Sequence, residues 1–124
     1  MKSDDNMFQA LERIFHEPNR LAIMSALCSA EKGLTFVELK AGCEMTDGNL
    51  NRHLNVLKES KVIRVKKAFV DDKPRTTVFI TKEGLDRFSE YLGALASVIE
   101  QARDALPASA QAPVVPVFGK PATA

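Results

Sequence analysis

Apolar residues recur every three or four positions through most of this chain, which is the spacing of amphipathic helices. The first such stretch predicts a helix that ends near Glu17-Pro18. Its apolar residues are Met7, Phe8, Leu11, Ile14 and Phe15. Pro18 suits the first turn of a second helix, because its missing N–H would have no partner there. This second helix is expected to run to about Ala30, with an inner face of Leu21, Met24, Leu27 and Cys28.

A short third helix and a longer fourth helix follow, and each is preceded by a threonine that can cap it. Thr35 and Glu38 have the spacing of a capping box, and Gly42 suits the C′ position at the end of the third helix. Thr46 can cap the fourth helix, at about residues 46–60, whose apolar stripe is Leu50, Leu54 and Leu57. A short helix, a tight turn and a second helix make a helix-turn-helix.

The other face of the fourth helix carries amide and guanidinium groups, where a merely solvated helix would more often carry Glu and Lys. Asn pairs with adenine and Arg with guanine, and a helix fits the DNA major groove. The segment is therefore predicted to be a DNA recognition helix, with contacts from Asn49, Asn51, Arg52 and Asn55. His53 lies at the edge of the apolar stripe and is expected to be a packed, hydrogen-bonded histidine rather than a ligand or a pH switch.

Two segments rich in β-branched and aromatic residues, 62–70 and 75–80, predict a hairpin with a turn at residues 71–74. Leu34 is expected to form a single-bridge strand. The net charge of the chain is only +1, but residues 61–82 hold seven basic and two acidic side chains. One face of the hairpin is expected to pack on the helices while the other projects Arg64, Lys66, Lys73 and Arg75. A basic hairpin after a recognition helix is a wing, at about residues 62–80, that can follow DNA phosphates.

The last helix begins at the capping residue Thr81, and its apolar residues alternate at spacings of three and four over three heptads. They are Leu85, Phe88, Leu92, Leu95, Ile99, Ala102 and Leu106. This narrow stripe predicts a homodimer with the first six of these residues in its interface. The alternative is that the stripe packs on the first helix of its own domain.

The composition changes at Pro107, where Ala, Pro, Val and Ser become dominant and four prolines interrupt any helix or central strand. Residues 1–106 are therefore expected to form one domain, and residues 107–124 a flexible Pro/Ala-rich tail. The fold class is mainly α with a small β-hairpin (α+β), a winged helix-turn-helix with a long C-terminal dimerisation helix.

The remaining composition argues against several other functions. Cys28 and Cys43 have no CxxC spacing and no His partner, so they are expected to be small buried side chains rather than a metal or redox site. No signal sequence or bilayer-spanning run is apparent, and a cytoplasmic protein is expected. No Ser/His/Asp set, glycine-rich phosphate loop or paired carboxylates appear, so neither an enzyme nor a cofactor is predicted.

The order of these elements resembles the winged helix-turn-helix regulators, in the winged helix DNA-binding domain group near the MarR and ArsR superfamilies. Four segments in order carry the resemblance across residues 7–106: 16–27, 50–59, 73–77 and 81–84. The resemblance implies a homodimer that places one recognition helix per subunit in successive major grooves. It also implies transcriptional regulation, more often repression than activation. Metal-sensing relatives use Cys-x-Cys, and because Cys43 stands alone, that role is not carried over.

The main hypothesis is therefore a homodimeric, sequence-specific regulator of transcription that binds double-stranded DNA. A winged-helix protein–protein interaction module without DNA binding is the alternative, and it would not need the amide-rich face beside a basic wing. A third possibility is that a small-molecule effector binds between the helix-turn-helix and the dimer helices.

Overall fold

Each helix begins where a side chain can satisfy backbone N–H groups that the first turn leaves unpaired. The computed structural model describes residues 10–110. The elements are, in chain order, helix α1 (Pro18–Cys28), strand β1 (Leu34–Thr35), helices α2 (Phe36–Cys43) and α3 (Asp47–Glu59), strands β2 (Ile63–Val70) and β3 (Lys73–Ile80), helix α4 (Lys82–Ala105) and a 3-10 turn (Ala108–Ala110). This is the predicted winged helix fold with a long C-terminal helix.

The predicted caps are confirmed. The Thr35 hydroxyl accepts from the N–H of Glu38 at 3.1 Å, and the Glu38 carboxylate accepts from the N–H of Thr35 at 2.9 Å, which completes the capping box. Thr46 accepts from the N–H of Asn49 at 3.2 Å, and Thr81 accepts from the N–H of Gly84 at 2.9 Å. Three helices therefore start where the sequence places them.

The three strands form one antiparallel sheet in the order β1-β3-β2. Strands β2 and β3 pair from Ile63–Ile80 out to Val70–Lys73, so only Asp71 and Asp72 form the turn. Both have positive φ (54° and 64°), as a two-residue type I′ turn requires, and Asp tolerates this conformation better than most residues. The prediction of a four-residue turn at 71–74 was wrong, because Lys73 and Pro74 belong to strand β3.

Short strand β1 explains how a proline fits into the central strand of the sheet. Leu34 and Thr35 pair with Val78 and Thr77, one residue more than the predicted single bridge. Strand β1 ends there, so the free side of β3 has no neighbouring strand at Pro74, which pairs only with Phe69 of β2. A missing N–H is tolerated at such an edge position.

One core joins the helices to the base of the sheet. Its fully buried larger side chains are Phe15, Ile23, Met24, Leu27, Leu39, Leu50, Leu57, Val62, Val78, Phe88 and Tyr91. Phe15 lies 5.2 Å from Phe88 and 5.6 Å from Tyr91, between ring centroids, and this aromatic cluster fixes the first half of α4 to the body. Tyr91 was not among the residues expected to pack, because it falls outside the heptad stripe.

The predicted first helix is wrong within the described residues. Residues 10–17 form turns, in which the Glu12 carbonyl accepts from the N–H groups of Phe15 and His16 at 3.0 and 2.9 Å. The Arg20 side chain donates to the Ile14 carbonyl at 2.7 Å and holds this segment against α1. Phe15 is still buried, so the apolar spacing was informative about packing and misleading about backbone conformation. Met7 and Phe8 lie outside the described residues.

The expected end of α2 and the expected burial of the two cysteines also need correction. Helix α2 continues through Gly42 and ends at Cys43, and the next residue, Glu44, provides the left-handed cap with a φ of 55°. Helix α1 ends at Cys28, and this side chain is exposed rather than on the inner face, while Cys43 is half-buried. Residues 108–110 form a 3-10 turn, and residues 111–124 of the predicted tail lie outside the described part of the chain.

None of the helices within residues 10–110 is long and apolar enough to cross a membrane.

Candidate nucleic-acid interface

Helix α3 is anchored by its apolar stripe, which leaves its polar face outside. Leu50, Leu54 and Leu57 are buried in the core. An ion pair of 2.9 Å between Lys40 of α2 and Asp47 ties the first turn of α3 to the preceding helix. Asp47 is therefore engaged within the helix-turn-helix. The four predicted contact residues of α3 are all exposed: Asn49, Asn51, Arg52 and Asn55.

The exposed face of α3 divides into two parts. The Arg52 guanidinium donates to the Asn49 amide oxygen at 3.1 Å, so these two side chains form one unit near the helix start. Asn51 and Asn55 lie one turn apart and line a cleft of about 260 Å³ between α3 and the sheet. Both parts present hydrogen-bonding groups to solvent, which is the arrangement that a base-reading helix requires.

His53 supports α3 from beneath. The residue is 5% exposed, and Nδ1 of its ring lies 3.1 Å from Nη1 of Arg20 in α1. Because a guanidinium only donates, Nδ1 accepts this hydrogen bond. Burial lowers the pKa of His53, and the nearby Glu17 carboxylate opposes this shift only in part. The prediction of a packed, hydrogen-bonded histidine is confirmed.

The strand register places Arg64, Lys66, Lys73 and Arg75 on one face of the wing, and all four are exposed. Residues Ile63, Val65 and Val78, which pack toward the helices, lie on the other face. The four basic residues therefore form an outer face that points away from the body. The Arg64 guanidinium lies 4.4 Å from the centre of the Phe79 ring, so this side chain is partly held by a cation–π contact.

Two further lysines lie near α3 and were missed from the sequence. Lys67 shares the inner face of the wing with Val65, and Lys58 is one turn beyond Asn55 on α3. Both line the cleft, together with Thr76 and the apolar side chains Phe36, Leu54 and Val65. The alternation of side chains along β2 could have identified Lys67, because it has the same parity as Val65.

Acidic groups are sparse around these cations. Asp71 and Asp72 lie exposed at the tip of the wing. Within residues 10–110, no salt bridge engages Lys58, Lys67 or the four basic residues of the outer face. The surface formed by α3 and the wing is thus positively charged and offers its cations to an external anion.

The heptad stripe of α4 is split between two environments. Phe88 is 1% exposed in the chain's own core, and Leu95 packs partly against that core, so Phe88 is unavailable to a dimer interface. Leu85, Leu92 and Ile99, seven residues apart, are 46%, 41% and 44% exposed. Ala102 is exposed as well. An outer apolar seam of one residue per heptad therefore remains on α4.

The described residues hold no group of three His, Cys, Asp or Glu side chains that could bind a metal ion. Partial burial raises the pKa of the Cys43 thiol, which disfavours the thiolate form needed for metal binding.

Comparisons with known proteins agree with this geometry. The family described as "Winged helix DNA-binding domain" matches residues 19–99. The uncharacterized protein MJ0432 of Methanocaldococcus jannaschii is 32% identical over 80 residues, which cover 64% of this chain and 86% of that protein. The family consists of DNA-binding domains rather than enzymes, as the sequence led us to expect.

Solved structures show the same architecture. A transcriptional regulator homologue from Pyrococcus horikoshii has a TM-score of 0.72 and 28% identity, covering 82% of this chain and 98% of that one. MepR of S. aureus, solved in complex with DNA, has a TM-score of 0.60 over 82% of this chain and 85% of its own. At 14% identity, the likeness to MepR shows the fold alone.

Proposed function

The chain belongs to the family of winged helix DNA-binding domains, and we propose that it is a sequence-specific regulator of transcription that works as a homodimer on double-stranded DNA. One observation carries this proposal. The anchored helix α3 exposes an unbroken set of amide and guanidinium groups directly beside a basic wing. A helix face that was only solvated would more often carry Glu and Lys than this set of amide and guanidinium groups.

In this proposal α3 enters the major groove, and base contacts come from its exposed polar residues Asn49, Asn51, Arg52 and Asn55. The first turns of a recognition helix usually reach the base edges, which favours the Asn49–Arg52 unit and Asn51. The outer face of the wing, with Arg64, Lys66, Lys73 and Arg75, contacts the flanking backbone. These wing contacts fix orientation and add affinity that depends on salt.

The outer seam of α4 supplies the proposed dimer contact. Helix α4 has 24 residues, about 36 Å of helix, and its second half is largely exposed. Leu85, Leu92, Ile99 and Ala102 repeat on one side of it, and a second copy of the same seam would bury them in a two-fold interface. Repression is the simplest mode of action for such a dimer, because occupancy of the DNA is sufficient. A protein that acts on DNA in this way is expected in the cytoplasm.

We propose that a small-molecule effector would act through the junction of α4 and α3. Arg87 of α4 donates to the Ser60 carbonyl at the end of α3 at 3.0 Å, and to the Glu12 carboxylate at 2.6 Å. A ligand that moved α4 would therefore displace the C-terminal end of the proposed recognition helix through this hydrogen bond.

The test compares Asn51→Ala with the wild type on two duplexes, one selected from a random pool by the wild type and one scrambled. Loss of a base contact should weaken binding to the selected duplex by about 1–3 kcal/mol and leave the scrambled one nearly unchanged. Gln101→Ala is the matched control, since it removes an exposed helical amide on α4. Equal losses on both duplexes would remove Asn51 from base reading.

A further inference from the structure

The cleft between α3 and the inner face of the wing is a concave surface next to the proposed recognition helix, lined by both polar and apolar side chains. We propose that it holds a phosphate of the DNA backbone, gripped from one side by Lys58 of α3 and from the other by Lys67 of β2. This inference rests on the proposed function and adds two contact residues and a location for one DNA strand. It concerns the inner face of the wing rather than the outer basic face.

The two lysines reach the cleft from different elements. Lys58 lies in the last turn of α3, on the same side as Asn51 and Asn55. Lys67 lies opposite Thr76 in the pairing of β2 with β3, so both side chains are on the inner face. The helix is fixed by buried Leu54 and the strand by partly buried Val65, which both pack on the core, so the cleft is formed before any ligand binds.

The chemistry of the lining favours an anion that accepts several hydrogen bonds. Two ammonium groups, two amides and one hydroxyl line the cleft, and no carboxylate does. Lysine acts as a point charge for phosphate, and the Thr76 hydroxyl on the inner face of the wing can donate a hydrogen bond to it. At about 260 Å³ the cleft is smaller than the usual pocket for a drug-sized ligand.

A neighbouring cleft shows why the phosphate is assigned to this position. It shares Phe36 and Thr76 with the first cleft, but its single cation, Arg75, is accompanied by the carboxylate of Glu38. The Glu38 carboxylate is fixed there by the capping box and would repel a phosphate. A phosphate is therefore more strongly favoured between α3 and Lys67, where two lysines and no carboxylate line the cleft, than in the neighbouring cleft. With α3 in a major groove and the wing over the adjacent minor groove, the strand between the two grooves passes through this position.

The experiment measures the dependence of DNA affinity on salt concentration for the full chain and its variants. Each phosphate that the protein neutralises contributes about 0.9 to the slope of log K against log salt. Because both lysines contact the same phosphate, Lys58→Gln and Lys67→Gln should each lower the slope by part of that amount, on the selected duplex and on a scrambled duplex alike. The double variant should lower the slope by about 0.9 in total. Lys32→Gln, an exposed lysine in the loop before β1, is the charge-matched control and should leave the slope unchanged.

A methylphosphonate scan of the duplex identifies the strand. Neutralising one particular phosphate should weaken binding by the wild type, should weaken binding by Lys58→Gln and by Lys67→Gln to a smaller extent, and should have no further effect on the double variant. Lys67→Arg should retain the slope, which separates charge from folding. If the wild type binds DNA but both glutamine variants keep its slope, or if the two lysines map to different phosphates, the inference is overturned while the proposed function stands. A wild type without DNA affinity would overturn both.

Discussion

The junction between the wing and α4 leaves no room for a side chain at Gly84, so a substitution there should destabilise the fold. A Cβ atom built on Gly84 would collide with the carbonyl oxygen of Val62 and come within 2.8 Å of its carbonyl carbon. The same carbonyl accepts from the N–H of Thr81 at 3.1 Å, and the Thr81 hydroxyl donates to the Lys61 carbonyl at 2.8 Å. Helix α4 therefore cannot move away without breaking these hydrogen bonds.

The expected effect of Gly84→Ala follows from opposing contributions. Overpacking costs about 1–3 kcal/mol, and each of the two strained hydrogen bonds contributes about 0.5–1.5 kcal/mol. The better helix propensity of Ala returns at most about 1 kcal/mol. We expect Gly84→Ala to lower the free energy of unfolding by about 3 kcal/mol, a large part of the 5–15 kcal/mol of a typical domain.

Gly48 provides the matched control, because it also lies in the first turn of a threonine-capped helix. No atom lies within 4 Å of a Cβ built there. Gly48→Ala should therefore hold or raise stability by up to about 1 kcal/mol. The measurement is urea unfolding at one fixed protein concentration, with equal m-values required before the midpoints are compared. A Gly84→Ala protein as stable as Gly48→Ala would refute the close approach of α4 to Val62.

Two other predictions concern His53 and the seam of α4. Because burial lowers the pKa of His53 below its ordinary 6.5, stability from this group is complete above about pH 6.5 and declines as the pH falls below it. As the pH falls through this range, the melting temperature of His53→Gln should decline less than that of the wild type. The same pH dependence in both proteins would contradict a neutral buried ring. Leu92→Glu should weaken the dimer at least about 100-fold by sedimentation, since one apolar contact is lost from each subunit. Ser97→Glu, on the opposite side of α4, should leave the dimer intact, and a dimer that persists in Leu92→Glu would place the interface elsewhere.

The α4 stripe shows what a heptad pattern can and cannot specify. The spacing correctly predicted a long helix with one apolar side. It could not show that Phe88 turns into the chain's own core while Leu85 and Leu92 turn outward, because this depends on the aromatic cluster with Phe15. Phe15 itself is separated from Phe88 by most of the chain, and its contact is a tertiary one that no local spacing encodes.

The proposed DNA surface was predictable where local chemistry determines it. Thr46 and the leucine stripe fix the start and the orientation of α3, so the exposed position of Asn51 followed from the sequence. The length of the wing turn could not be predicted from the sequence, because Asp71 and Asp72 adopt positive φ, a conformation in which Gly or Asn is more usual. Once the turn has two residues, the pairing of the strands is set, and the inner position of Lys67 follows from that pairing.

Footprinting of the DNA upstream of the gene for this protein, titrated near physiological salt, tests the central claim most directly. The account predicts protection of two half-sites about one helical turn apart, one for the α3 of each subunit. The Leu92→Glu variant should require a much higher protein concentration to protect them. If the wild type has no affinity for this DNA or for any duplex selected from a random pool, the regulator proposal is contradicted and a protein-interaction module becomes the better account of the fold.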